Sequence, residues 1–544
     1  MNKKKVLISI LVLAILAFSS AATMVHATLY SSYSAMPWAS NSLVTPGTLT
    51  IAGSSTVAPI AEAEEAGTGT ANPSADNFVS YWNSLVAANP SWGTASALDL
   101  SAVSIAGLGS GTAVPALDGS SSPADVGEMS RPCSDGEWGI ACMNNMQVWA
   151  VGVDSVAIVL SPDMTWFPTS LNTFQVSELF ADNAPNASAS QGLTGVTGST
   201  PLYATWDDFL SANHFYSNEA TAGTAGNATI QLAVRDATSG TFDCFNNYFV
   251  VPNGYQFEYK SGSPSTVTGT CEMAPFTYCE ENSAIVSTVE NGVYGGAGDY
   301  IGFTSLGYAL SNPHTGTKAG DGLIPLNISF NMASPPSGKT ASPLITYYGP
   351  SGTFGQTSNS AYPGYNVYSW GTAVQPTIAN VIWAYSGVQG KTATGQYEAW
   401  RWLWEVTPGP IPNSGPCLAA GVWISYMMED DTTQGGTSMF VLDQSYIQLS
   451  RADMAGGLPL DSNLATSGTP GAFTVTPTQT QTIPDGKVNG QDFFYFVDAY
   501  IHYYANNIYN PYADIYATGK ITGTSFLGFV AAYVYYFTTY NPTA

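Results

Sequence analysis

The chain has 544 residues, with 13 Lys+Arg against 38 Asp+Glu and a formal charge of -25, yet only 9% of its residues are charged. It is acidic because cations are scarce, which excludes a nucleic-acid binder that works by phosphate neutralisation and leaves no polybasic stripe for an anionic membrane. The 45% hydrophobic and 12% aromatic content excludes a disordered chain, and a chain this long predicts about two to four domains.

At the start, Lys3, Lys4 and Lys5 precede an apolar run from Val6 to Phe18, and small residues lead on to Val25-His26-Ala27. This is the pattern of a signal peptide over residues 1–27. The run is shorter than the ~20 residues a membrane span needs, so the expected location is secreted, extracellular or cell-surface associated. In an exported chain, the cysteines Cys133, Cys142, Cys244, Cys271, Cys279 and Cys417 read as disulfides. The preferred connectivity is Cys133–Cys142, Cys271–Cys279 and Cys244–Cys417. Asn186, Asn227 and Asn327 open glycosylation sequons.

Further along, an apolar run from Leu49 to Ala52 meets Gly53-Ser54-Ser55-Thr56, and a helix-compatible stretch begins near Val57. The same order of strand, small-residue turn and helix recurs at Val103 with Gly109-Ser110-Gly111-Thr112, and at Ile230 with Arg235 and Ser239-Gly240-Thr241. Such alternation predicts α/β architecture with mostly parallel strands. Val148 to Leu160 reads as strand segments interrupted by Gly152 and Asp154. Ser283 to Asn291 reads as a helix, followed by a short strand at Tyr300. Residues 332–397, rich in Ser, Thr, Gly, Pro and Tyr, read as an insertion of turns and short strands. Residues 457–484 form a Thr/Pro/Gly-rich linker. Residues 485–544 read as a separate module, in which the stretch beginning Asp485-Gly486-Lys487 recurs from Thr518, each copy a loop followed by an amphipathic helix.

Holding a small tetrahedral oxyanion takes several hydrogen-bond donors converging on a point, and helix starts with flanking hydroxyls provide them. Each of the three turns could equally be an ordinary N-cap, for which Ser and Thr are preferred. The basic residues favour the first reading. Between leader and linker they are Arg131, Arg235, Lys260, Lys318, Lys339, Lys391, Arg401 and Arg451. Arg235 stands four residues before Ser239, where its fork could reach an anion at the helix start.

The succession Gly53-Ser-Ser-Thr-Val-Ala-Pro-Ile-Ala-Glu, Gly107-Leu-Gly-Ser-Gly-Thr, Val126-Gly-Glu-Met-Ser-Arg-Pro and Arg235-Asp-Ala-Thr-Ser-Gly-Thr resembles the PstS-type phosphate-binding proteins that feed ABC importers. The resemblance covers residues 48–310 well and 311–455 weakly. It implies an α/β, two-lobed periplasmic-binding-protein-like fold of type II with an interlobe cleft, over residues 46–456. Lobe 1 would comprise residues 46–150 and 301–456, and lobe 2 residues 151–300. Carried over by position, it implies that Ser55, Thr56, Val57, Ser110 and Ser130 meet the anion from one lobe and Arg235, Ser239, Gly240 and Thr241 from the other. Some members place an Asp at the position of Ser130 to accept the proton of hydrogen phosphate; here Asp154 or Asp236 is the candidate for that task, Asp236 being better placed to orient Arg235.

The tail's Asp485, Asn489 and Asp492 are similar to positions 5, 9 and 12 of a dockerin or EF-hand calcium loop. Gln481 and Ile483 at positions 1 and 3 depart from that pattern, and a metal-free helical pair competes with a calcium site. The functional expectation is an extracellular solute-binding protein that captures phosphate or a related oxyanion, with ABC transporter membrane subunits as partners and a surface protein for the C-terminal module. A structural or adhesive surface protein reusing the fold is the alternative. Nothing in the sequence supports an enzyme: histidines are sparse and no nucleophile–base pair is visible.

Overall fold

The computed structural model describes residues 37–66, 77–99, 103–107, 109–117, 123–131, 146–180, 203–236, 239–250, 276–291, 299–330, 372–386, 392–428, 442–443, 446–454, 458–459, 484 and 486–539. Strands β1 (Leu49–Gly53), β2 (Val103–Ala106) and β3 (Val126–Met129) run parallel with β1 in the middle. With β4 (Gln147–Leu160), β5 (Gln231–Arg235), β6 (Phe276–Cys279), β7 (Tyr300–Ser305) and β8 (Trp400–Thr407), the sheet follows the path β2-β1-β3-β8-β4-β7-β5-β6. Strand β5 is parallel to both β6 and β7. Each lobe is therefore built on a parallel trio, and the antiparallel pair β4 and β8 joins them. This is a mixed α/β architecture of two lobes.

Strand β4 belongs to both lobes. Its residues 147–155 pair with β8 and its residues 156–160 with β7. Val148, Val151, Val153, Val156, Ile158 and Val159 make it a nearly continuous apolar run, as expected of a strand covered on both faces. The strand runs on through Gly152 and Asp154 without a break, although its pairing with β8 shifts register at Val151, next to Gly152. Gly152 admits the Ile447 carbonyl 3.2 Å from where a Cβ would stand, and Asp154 lies opposite Arg401 in the β8 register, which neutralises it.

In lobe 1, α1 (Ala58–Ala66) follows β1, and α2 (Phe78–Ala88) is capped by Asn77, whose side chain accepts from the Ser80 amide. In lobe 2, α3 (Gly240–Phe245) and α4 (Asn282–Asn291) cover the second trio. The Phe245 ring stacks on Phe303 at 4.0 Å between centroids. Within the region expected to be turns and short strands, α5 (Ile378–Ser386) forms instead, because Val381 and Tyr385 bury one side of it. Residues 327–329 pair with 170–172, so the chain stays with lobe 2 to residue 330, beyond the crossing expected at 301.

Helix α6 (Leu418–Met427) is apolar on every side and wholly buried in lobe 1. The C-terminal segment forms α7 (Gly490–Ala505) and α8 (Gly523–Thr539), and Tyr509 and Gly519 between them lie against Gly421 and Val422 of α6. Phe496, Tyr503, Tyr509, Tyr512 and Phe529 share one core with Trp82, Trp92 and Trp423. Residues 508–509 pair with 411–412. The Arg451 guanidinium donates to the carbonyls of Ser425, Met428 and Ile515 at 2.6, 2.7 and 2.5 Å. Residues 486–539 thus fold onto lobe 1 and are not the separate module that local periodicity suggested. Two helices alone bury too little apolar surface to stand by themselves.

The expected Cys244–Cys417 bridge is not formed. Cys244 is buried in the lobe 2 core and Cys417 in the lobe 1 core, each as a small apolar side chain. Cys279 is a thiol 3.5 Å from the Thr288 hydroxyl. Cys133, Cys142 and Cys271 lie outside the described residues, as do the leader and nearly all of the linker.

Candidate functional site

The site assembles where β4 passes from one lobe to the other. On the lobe 1 side, β1 ends in a turn held by Ser54, whose hydroxyl accepts from the Thr56 amide at 3.1 Å and whose carbonyl accepts from the Val57 and Ala58 amides at 3.1 and 3.0 Å. That turn starts α1 and fixes Thr56, which is 1% exposed. The second turn places the Ser110 hydroxyl 3.2 Å from that of Ser130, where it also accepts from the Ser130 amide at 3.0 Å.

On the lobe 2 side, Ser239 caps α3 by accepting from the Thr241 and Phe242 amides at 3.1 and 3.5 Å. Gly240 lies directly against Ser130 of lobe 1, and a Cβ at 240 would overlap the Ser130 backbone and hydroxyl. Arg235, at the end of β5 and 1% exposed, donates through Nη2 to the Glu280 carbonyl at 2.9 Å and to Ser55 Oγ and Asp236 Oδ2 at 3.4 Å each. Burial lowers its pKa and the Asp236 carboxylate opposes that effect; a guanidinium nonetheless stays charged.

Between the lobes, the hydroxyls of Thr56 and Thr241 stand 3.4 Å apart. Asn282, first residue of α4, donates to Thr56 Oγ1 at 3.2 Å, while its Oδ1 accepts from the hydroxyls of Thr241 and Thr304 at 3.4 and 3.3 Å and from the Ser305 amide at 3.2 Å. Arg401 reaches in from β8. Its Nη2 donates to Thr241 Oγ1 at 3.0 Å and to Thr56 Oγ1 at 3.5 Å. Nη2 and Nε hold Asp154 Oδ2 at 2.6 and 3.2 Å, and the Ser305 hydroxyl donates to Asp154 Oδ1 at 2.8 Å. Arg401 and Asp154 are both buried, so loss of either partner leaves an uncompensated charge, a defect that costs about 3–5 kcal/mol.

The structure brings Ser55, Thr56, Asp154, Arg235 and Thr241 together with Ser110, Ser130 and Gly240 alongside. Two residues named from the sequence have other uses here: the Ser239 hydroxyl is taken up by its own helix cap, and the Val57 side chain lies in the lobe 1 core. Asp154 is bound on both oxygens rather than open. Arg401, Asn282, Thr304 and Ser305 were not anticipated. Arg401 carried a signal, a scarce cation between Trp400 and Trp402 in a strand-like run, whereas a lone Asn at a helix start carries none. In the tail, Asn489 and Asp492 form a capping box at the start of α7, and Asp492 also accepts from the Met454 amide at 3.1 Å. Asp485 lies outside the described residues.

No known family profile and no curated protein matches this sequence. Solved structures similar to the chain include an ABC-type phosphate transport receptor from Vibrio cholerae, 15% identical with a TM-score of 0.33 over 71% of this chain and 96% of its own. A phosphate-binding protein from Stenotrophomonas maltophilia is 13% identical with a TM-score of 0.34 over 74% and 90%. PstS from Borrelia burgdorferi is 12% identical with a TM-score of 0.28 over 74% and 98%.

Proposed function

We propose that this chain is an extracellular solute-binding protein that captures a small tetrahedral oxyanion, phosphate foremost, between its lobes, and that closure around the ligand is the signal read by ABC-type membrane subunits. The observation that carries this reading is the convergence of hydroxyl, amide and guanidinium donors from both lobes at the β4 crossing, with Thr56 and Thr241 3.4 Å apart. Donors fixed before the ligand arrives bind it without reorganisation, and a site shielded from water strengthens each bond. The acidic surface does not oppose this, because a single small anion is held by local dipoles and one or two cations rather than by net charge. Binding rather than turnover is the better reading, since among the described residues the network consists of hydroxyl, amide and guanidinium groups held in place with no nucleophile beside a base. Calorimetry of the mature chain with phosphate at micromolar to millimolar concentration tests it: saturable one-site binding is expected, and no heat together with no thermal shift contradicts it.

A second reading concerns the tail. Phe494, Tyr500 and Tyr504 on α7 and Leu527, Val530 and Val534 on α8 are exposed, Leu527 at 67%. An apolar patch of this kind marks an interaction surface, which supports attachment of the binding domain to another surface protein.

A further inference from the structure

Asn186, Asn227 and Asn327 each open an Asn-x-Ser/Thr segment, the acceptor signal for an N-linked glycan, and the oxyanion site uses none of them. Asn186 lies outside the described residues. The fold treats the other two differently. Asn327 and Ser329 are half-buried in a short strand, where Asn327 is in register with Ser170 and its amide donates to the Thr169 carbonyl at 3.1 Å. Ile328 between them is buried, and it exchanges backbone hydrogen bonds with Val374 at 2.9 and 2.8 Å. An oligosaccharide is bulky and hydrated, and a strand held along both edges leaves little room for one.

Asn227 is exposed, and so is Thr229. They lie in the turn that leads from the helix Tyr216–Ala222 into β5. Backbone hydrogen bonds fix that turn. The Ala228 amide donates to the Ala225 carbonyl at 3.0 Å, and the Ala228 and Gly226 carbonyls accept from the Trp206 and Asp207 amides at 3.2 and 2.7 Å. The Ile230 amide donates to the Ala204 carbonyl at 3.3 Å. The acceptor segment is thus held at the surface by a defined turn.

Its place in lobe 2 matters as much as its exposure. The turn stands at the N-terminal end of β5 and Arg235 at the C-terminal end, and five strand residues span ~17 Å. Strands β6 and β7 run parallel to β5, so Asn282, Thr304 and Ser305 also belong to the C-terminal end. A group on Asn227 stands at the pole of lobe 2 opposite the cleft.

We propose that Asn227 carries an N-linked oligosaccharide, which covers the outer pole of lobe 2 and leaves the cleft open. The sugar comes from a lipid-phosphate-linked oligosaccharide. Asn227 Nδ2 forms a bond to its anomeric carbon, the bond from that carbon to the phosphate oxygen breaks, the lipid phosphate leaves with the electron pair, and the proton lost from Nδ2 passes to a base of the transferase. A hydrated, solubilising group suits an exported chain in which only 9% of residues are charged. The proposal rests on the reading of the chain as exported.

The test is peptide mass spectrometry of the full chain, isolated from the surface and medium of the cells that produce it. The peptide containing Asn227 is expected to carry the mass of an oligosaccharide, and the peptide containing Asn327 to be bare. Exported protein with Asn227 unmodified, or with the glycan on Asn327 instead, overturns the proposal and leaves the export reading standing. A chain found only inside the cell overturns both. As a second arm, Thr229→Val keeps the asparagine and the shape of the turn but removes the hydroxyl that completes the signal. Loss of the added mass is expected, and its persistence would overturn the proposal.

Discussion

Arg235 and Gly240 make different demands on the cleft, and substitutions separate them. Arg235 is a buried cation beside Ser55 of the opposite lobe, so Arg235→Ala is expected to lower phosphate affinity at least ~100-fold, the loss of a charge-assisted pair in a desolvated site. Arg235→Lys restores the charge but not the fork, and recovers only part of the affinity in the same titration. Gly240 is small because Ser130 presses on it from lobe 1. Gly240→Ala is expected to hold the lobes apart and to abolish the ligand-dependent thermal shift. An unchanged shift would show that the lobes do not close through this contact. At this scale the sequence was readable where residue type was scarce and placement unusual. Arg235 precedes a hydroxyl-rich turn, and the structure places it beside Ser55 of the other lobe. Arg401 was scarce too, but its partner Asp154 lies across a sheet and far away in the chain, so no local pattern linked them. Asn282 had no distinguishing mark at all.

At the scale of elements, the decisive feature is how the C-terminal helices are tied down. Arg451 donates to three carbonyls from α6 and the tail, and the Tyr512 hydroxyl donates to the Ala150 carbonyl of β4 at 2.6 Å. Arg451→Met, similar in length but without donors, leaves those carbonyls buried and is expected to destabilise the chain by about 3 kcal/mol, measured by urea denaturation monitored through tryptophan fluorescence. Removing residues 486–544 would expose the apolar faces of α2 and α6, and is expected to yield aggregated protein. A truncated chain that is monomeric and binds phosphate would show the tail to be dispensable after all. The parallel trios were legible because strand, small-residue turn and helix repeat within short windows. The tail's attachment was not, since its strand partner at 411–412 lies about a hundred residues away, and amphipathic periodicity tells which face is buried without telling against what. The joining strands were only half legible: β4 showed its β-branched character, while its role as a member of both lobes depends on β7 and β8, which arrive from later in the chain.

For the molecule as a whole, charge and pH follow from the scarcity of cations. Glu128 and Glu405 lie opposite each other across β3 and β8 and are fully buried. Burial pushes both carboxyls well above the usual range, with further repulsion from Glu62 at Glu128 and from Glu128 at Glu405. Burial also pushes Glu178 and Glu398 up to about 7 and Asp299 to about 6. The folded state therefore binds more protons than the unfolded chain between the ordinary carboxylate range and these raised values. Stability from these groups is fully present below about pH 4 and is lost as pH rises through about 6 to 7. The melting temperature is expected to be at least ~3 °C higher at pH 5 than at pH 8. A Tm that falls steadily from pH 8 to pH 5 would mean these carboxyls are ionised and paired in the fold. Glu128→Gln, which removes one charge of the facing pair, is expected to flatten the dependence.

The central claim is that a small oxyanion is held at the β4 crossing by donors from both lobes. A crystal structure of the protein without residues 1–27, grown with phosphate, tests it most directly. The prediction is tetrahedral density within hydrogen-bond distance of Arg235, Thr56 and Thr241, with Arg401 still paired to Asp154. Density only at the surface, or a ligand held by groups of one lobe alone, would contradict it.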